Sequence, residues 1–255
     1  MNKIIFFGNG PLADATLEVL KNHFEIIFHA RTKEDLETVK EIKAKNPEAK
    51  GILASFGVLI KSDVLDLFEP EGILNIHPSL LPKYRGASPI ESAILNGDDE
   101  FSVSIMKLAK AMDAGPIYYQ TTLKNLPLEK AAIYVALAQS GANWLVENID
   151  SLPEPSPQND ADATFCSKFD RSMGELTPET DDAKTTFRKI IAYQGFPKPK
   201  YTFFGIKCII LEARLADDSP ITITCKDGQK IAIDRLQPEG RKAMDAKSFL
   251  NGYKK

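Results

Sequence analysis

The sequence predicts an α/β fold followed by a small β-barrel of oligonucleotide-binding type, and three observations carry that prediction. Over the first 150 residues, short apolar runs that end in turns alternate with helical patterns. The composition then shifts at Ser151–Asp160, where three prolines and little apolar material mark a linker. Beyond it, short strand-like runs separated by Gly and Asp turns recur at even spacing, as a small barrel requires. The expected division is 1–150, a linker at 151–165, and 166–255.

Lys3-Ile4-Ile5-Phe6-Phe7 reads as a strand, Gly8-Asn9-Gly10-Pro11 as a tight turn, and Leu12 through Leu20 as a helix, so the chain opens a βαβ unit. Gly8-x-Gly10 invites a dinucleotide reading, but the third glycine is missing and Asp14 lies nearby, which argues against a nicotinamide cofactor. Glu25–Phe28 is a second strand, and Lys33–Lys45 a helix whose interleaved Glu and Lys residues predict a solvated face. Gly51–Gly57 is strand then turn, Asp63–Phe68 a short helix, and Gly72–Ile76 a buried strand. Pro89–Leu95 is a helix, Phe101–Met106 alternates with period two and is a strand, and Ala109–Gly115 is a loop. Pro116–Leu123 is a strand and Leu128–Ile149 a long helix, with Trp144 read as core. After the linker come a helix at Asp181–Tyr193 and strands at Tyr201–Phe204, Lys207–Leu215, Ile221–Cys225 and Lys230–Leu236.

With 255 residues, 43% hydrophobic and 26% charged, the chain has the length for a full core and an ordinary globular composition. No apolar run approaches the roughly 18 residues of a membrane span, and Met1-Asn2-Lys3 leads directly into a strand, which argues against a signal peptide. Cys166, Cys208 and Cys225 are odd in number and lack close metal-type spacing. A cytoplasmic protein without a structural metal is expected, with no membrane association and as a monomer. The net charge of −3 conceals an asymmetry: residues 1–187 carry 18 Lys and Arg against 28 Asp and Glu, and residues 188–255 carry 14 against 7. The basic end reads equally well as a phosphate-attracting surface and as the solvated face of a small β domain.

The chemistry gathers between Ile73 and Gly115. Asn75 and His77 stand two apart at the end of a strand, so their side chains share a face, and Pro78 and Pro82 force the chain out of the sheet just after them. That position, a strand's C-terminal edge, is where open α/β sheets bind ligands. With Asp113 they supply an amide donor, an imidazole and a carboxylate, a set suited to stabilising an oxyanion and moving a proton. Ser79 as a nucleophile would need His77 to fold back on its own turn, so the attacking group is better sought on a substrate. Arg85 reads as an anion contact or as an arginine stacked over a neighbouring strand end.

The run Asn75-x-His77-Pro78-Ser79-Leu80-Leu81-Pro82-x-x-Arg85-Gly86, followed 36 residues after the histidine by Asp113-x-Gly115, resembles the signature of the folate-dependent formyltransferases. The resemblance implies a Rossmann-like formyltransferase domain, catalytic roles for Asn75, His77 and Asp113, and 10-formyltetrahydrofolate as co-substrate without a metal. It further implies folate contacts from Phe56, Gly57, Leu59, Ser79, Leu80, Leu81 and Pro82, although Leu59 reads first as a core side chain. Leu236–Met244 with Phe249-Leu250-x-Gly252 is similar to the C-terminal end of the tRNA-acting branch, which implies the methionyl amine of initiator methionyl-tRNA as the formyl acceptor. That branch has a long basic loop where this chain has 22 residues between Phe28 and Gly51, and an aromatic near the position of Leu12. A sugar-nucleotide amine and a non-catalytic tRNA-binding role are the alternatives.

Overall fold

The computed structural model describes residues 1–253; Lys254 and Lys255, counted above in the basic end, lie outside the described residues. The chain divides into two compact units, Met1–Ile90 with Asp99–Ser167, and Glu91–Asp98 with the chain from Lys168 onward.

The first unit opens with β1 (Lys3–Phe7), α1 (Pro11–Leu20), β2 (Glu25–Ala30), α2 (Asp35–Lys45) and β3 (Lys50–Leu53). It continues through α3 (Ser62–Leu65), β4 (Ile73–His77) and β5 (Arg85–Gly86) to α4 (Pro89–Asn96), whose later turns belong to the second unit. The chain then returns as β6 (Phe101–Lys107), β7 (Ile117–Leu123), α5 (Lys130–Asn148) and β8 (Phe165–Cys166). Strand order in the main sheet is β2-β1-β3-β4-β6-β7, parallel from β2 to β4 and antiparallel from β4 to β7. Each strand of this main sheet has boundaries within a few residues of those read from apolar periodicity, whereas the two-residue strands β5 and β8 were not expected.

The central strands are buried on both faces, which is why they read as continuous apolar runs. Ile5, Phe7 and Ile73 pack with Leu36 and Val39 of α2 and Val64 of α3, and Phe7 meets Phe56 and Phe68 edge-on. On the other face Ile76 lies against α5 at Gly141, and α5 packs on α1. Trp144 of α5 stacks on Tyr119 of β7 with ring centroids 4.9 Å apart. α2 is less uniformly solvated than its charge pattern predicts. Lys43 is buried, and its ammonium donates to the Pro47 and Ala49 carbonyls at 2.6 Å, closing the turn into β3. Burial holds that amine below the usual lysine range.

In the second unit, α6 (Ala183–Ala192) is capped by the Asp182 side chain, which accepts from Thr185 N at 2.6 Å. There follow β9 (Lys200–Phe203), β10 (Ile206–Arg214), β11 (Thr222–Thr224), β12 (Lys230–Pro238), β13 (Met244–Asp245) and α7 (Ala246–Tyr253). These strands form one antiparallel sheet ordered β11-β12-β10-β9, with β13 on β12, around a core of Ile210, Ile223, Ile231, Ile233, Leu236 and Phe249. Among the described residues no helix is long and apolar enough to cross a membrane, and no group of His, Cys, Asp and Glu is placed to hold a metal.

Candidate active site

β4 delivers two of the three polar residues. Its side chains alternate, so Ile73, Asn75 and His77 share the face opposite Leu74 and Ile76, and the strand is enclosed by β3 and β6. Asn75 and His77 are 4% and 5% exposed. No hydrogen bond among the described residues engages the Asn75 carboxamide. Among the described residues the sealed, unpartnered side-chain atoms are the hydroxyls of Thr16 and Thr186, so the carboxamide still borders space that water can enter. A buried amide normally finds a partner, and one left open at a strand end is available to a ligand.

His77 is oriented from both sides. Its Nε2 lies 3.0 Å from the Tyr84 carbonyl, an acceptor only, so Nε2 carries the hydrogen. The other ring nitrogen, Nδ1, faces Asp113 Oδ1 at 3.8 Å. The other Asp113 oxygen accepts from Gly86 N at 2.8 Å. Asp113 sits at φ 49°, a left-handed conformation that aspartate tolerates better than most side chains. Two glycines permit this assembly. A Cβ on Gly86 would come within 2.2 Å of the Cys166 carbonyl, and one on Gly115 within 1.9 Å of the Lys107 carbonyl.

The loop from Ser79 to Pro82 is pinned from the neighbouring hairpin. Ser104 Oγ donates to the Ser79 carbonyl at 2.6 Å and accepts from Leu81 N at 3.1 Å and Gln120 Nε2 at 2.8 Å. Gln120 also donates to the Leu81 carbonyl at 2.8 Å. The Ser79 hydroxyl donates to the Lys83 carbonyl at 2.7 Å, which engages it as a loop closure. Of the side chains expected around a folate, Leu59 and Leu80 are exposed at 71% and 40%, and Gly57 is exposed as well. Leu59 is thus not the core residue its apolar character predicts. Phe56, Ser79 and Leu81 are enclosed, Phe56 against Phe7, and Pro82 is half-buried. Leu12 is likewise in the core.

Arg85 takes neither of its two expected positions. It is buried and donates through Nε and Nη2 to Gln158 Oε1 at 2.9 and 2.8 Å, and through Nη2 to Asp160 Oδ1 at 2.8 Å. The stretch 151–165, expected as a linker, is tied to the sheet: Ser156 bridges Ile117 in antiparallel fashion, and β8 pairs in parallel with β5. Ser104, Gln120 and Gln158 escape a reading of the sequence. Ser104 and Gln120 are polar side chains within strand patterns and Gln158 lies in a proline-rich stretch, and nothing local says what covers them.

The family model described as formyl transferase matches residues 9–149, and that of the formyl transferase C-terminal domain matches residues 210–254. A methionyl-tRNA formyltransferase of Dictyoglomus thermophilum is 34% identical over 250 residues, covering 88% of this chain and 78% of that protein. Among solved structures, HypX from Aquifex aeolicus in complex with tetrahydrofolic acid aligns with a TM-score of 0.74 at 19% identity, over 100% of this chain and 48% of that one, so the chain spans about half of HypX. Methionyl-tRNA formyltransferase from Clostridium thermocellum aligns with a TM-score of 0.71 at 19% identity, over 93% and 98% of the two chains.

Proposed function

The chain belongs to the formyl transferase family, and on that premise we propose that it moves the formyl group of 10-formyltetrahydrofolate onto the methionyl amine of initiator methionyl-tRNA. The observation that carries the reading is the open Asn75 carboxamide on the same strand face as His77, whose free nitrogen is turned to Asp113. The amine attacks the formyl carbon, the carbon–oxygen double bond opens, and charge collects on the formyl oxygen. Asn75 and the Nδ1–H of a protonated His77 donate to that oxygen in a site largely closed to water. Asp113 accepts, directly or through water, the proton lost by the amine. When the tetrahedral intermediate collapses, the bond from carbon to the folate nitrogen breaks and the proton passes to that nitrogen. Leu59 and Leu80 offer the exposed apolar side chains suited to a pterin-bearing donor.

The choice of amine rests on relatives such as the Dictyoglomus enzyme and on the basic C-terminal end. The short interval between β2 and β3, which holds α2 alone, favours a sugar-nucleotide amine as the second reading. Incubation with 10-formyltetrahydrofolate and either charged initiator tRNA or an amino-sugar nucleotide, followed by product analysis, decides between them. Formylmethionyl-tRNA is the expected product. A formylated sugar nucleotide alone would replace the first reading with the second.

A further inference from the structure

We propose that Gln158 is a positioning residue for formyl transfer, holding the Asp113 carboxylate in place through the backbone on either side of Ala114. The inference rests on the reading of Asp113 as the carboxylate of the site. Gln158 Nε2 donates to the Asp113 carbonyl at 2.8 Å and to the Gly115 carbonyl at 2.7 Å. Its Oε1 accepts both Arg85 donors. A guanidinium offers no acceptor, so Arg85 determines which end of the amide points at it, and the two N–H groups are turned on the loop. All four bonds are made by one side chain, and its partner Arg85 is itself buried and held by Asp160.

Asp113 needs such a clamp. Its left-handed backbone is unfavourable for a residue with a Cβ and persists only where the surroundings fix it. The same stretch holds the histidine side of the site. Thr164 Oγ1 accepts from Tyr84 N at 2.8 Å, and the Thr164 carbonyl accepts from Arg85 N at 2.8 Å. The Tyr84 carbonyl that orients His77 and the loop that bears Asp113 are therefore both fastened to residues 156–166.

Gln158→Glu is nearly isosteric and keeps an acceptor for Arg85, but its carboxylate cannot donate to the two carbonyls. We expect kcat to fall about 10- to 100-fold, the scale on which an ångström of misplacement acts. KM for both substrates should stay within about threefold, while the melting temperature falls because two carbonyls lose their donor. Gln158→Asn keeps the amide but is a methylene short of spanning both carbonyls, and should show the same kcat loss; it replaces Gln158→Glu should that variant not fold. Asp113→Asn supplies the background for a double-mutant cycle. If Gln158 acts through Asp113, adding Gln158→Glu there costs less than about twofold, and fully additive losses would overturn the positioning role. Parental kcat in Gln158→Glu beside an inactive Asp113→Asn would overturn it too, with the site reading intact. Parental kcat in Asp113→Asn would instead remove the reading on which the inference stands.

Discussion

Asn75 concentrates the conflict between stability and chemistry at a single residue. Its carboxamide is buried and has no hydrogen-bond partner among the described residues. Replacing it by alanine removes no hydrogen bond from the resting fold, so stability should change by less than about 1 kcal/mol. The oxyanion would lose a donor, and kcat should fall roughly 10²- to 10³-fold. Urea denaturation and steady-state kinetics on Asn75→Ala read the two effects separately, and a large stability loss with normal kcat would return Asn75 to a structural role. His77→Ala should abolish transfer while the protein remains folded, as product formation and circular dichroism would show. Cys208 behaves differently. Burial pushes its thiol up from 9.0 to about 11, so it stays protonated at pH 8 and should escape thiol reagents until the protein unfolds. Because the folded state holds this proton more tightly, the contribution is intact below pH 9 and is lost as pH rises toward 11. A denaturation series across that range should show stability declining, and Cys208→Ala should flatten the decline.

At the scale of elements, β6 shows what a period-two pattern conveys and what it leaves out. The alternation Phe101-Ser102-Val103-Ser104 locates the strand, and on an ordinary half-exposed strand both serines would face water. Ser102 does keep partial exposure, whereas Ser104 is fully buried because the Ser79–Pro82 loop lies across it. Ser104→Ala would leave the Leu81 N–H and the Gln120 amide without their shared acceptor, at a cost of about 1–3 kcal/mol. Thermal denaturation should register that loss. The loop is the proposed folate contact, so KM for the formyl donor should rise more than kcat falls. The 151–165 stretch teaches the same lesson. Prolines and a lack of apolar residues read as a spacer because a local pattern reports what a segment cannot bury. It is silent on hydrogen bonds to residues 40 or more positions away, such as Gln158 to Asp113. The strands of the main sheet and the proposed Asn75, His77 and Asp113 set could be read along the chain, because period and motif are properties of the sequence itself. The clamp around that set could not, since each of its members is an unremarkable polar residue until the chain folds over it.

At the scale of the whole molecule, charge separates along the chain: residues 1–187 are acidic overall and residues 188–255 basic. A net charge of −3 would suggest weak attraction for a polyanion, but a polyanion responds to the charges it meets and screening hides those farther than about 10 Å at 0.1 M salt. A tRNA acceptor gripped by the basic end must displace condensed counterions, and each neutralised phosphate contributes roughly 0.7–0.9 to the slope of log binding constant against log salt. A sugar nucleotide carries too few phosphates to release many. Titrating charged initiator tRNA against the protein at several salt concentrations should therefore give a slope magnitude above about 3. Paired substitutions of lysines and arginines beyond residue 188 should flatten it. A slope below about 2 would mean that the polyanion is not held by this end of the chain, and would shift the acceptor toward a small nucleotide.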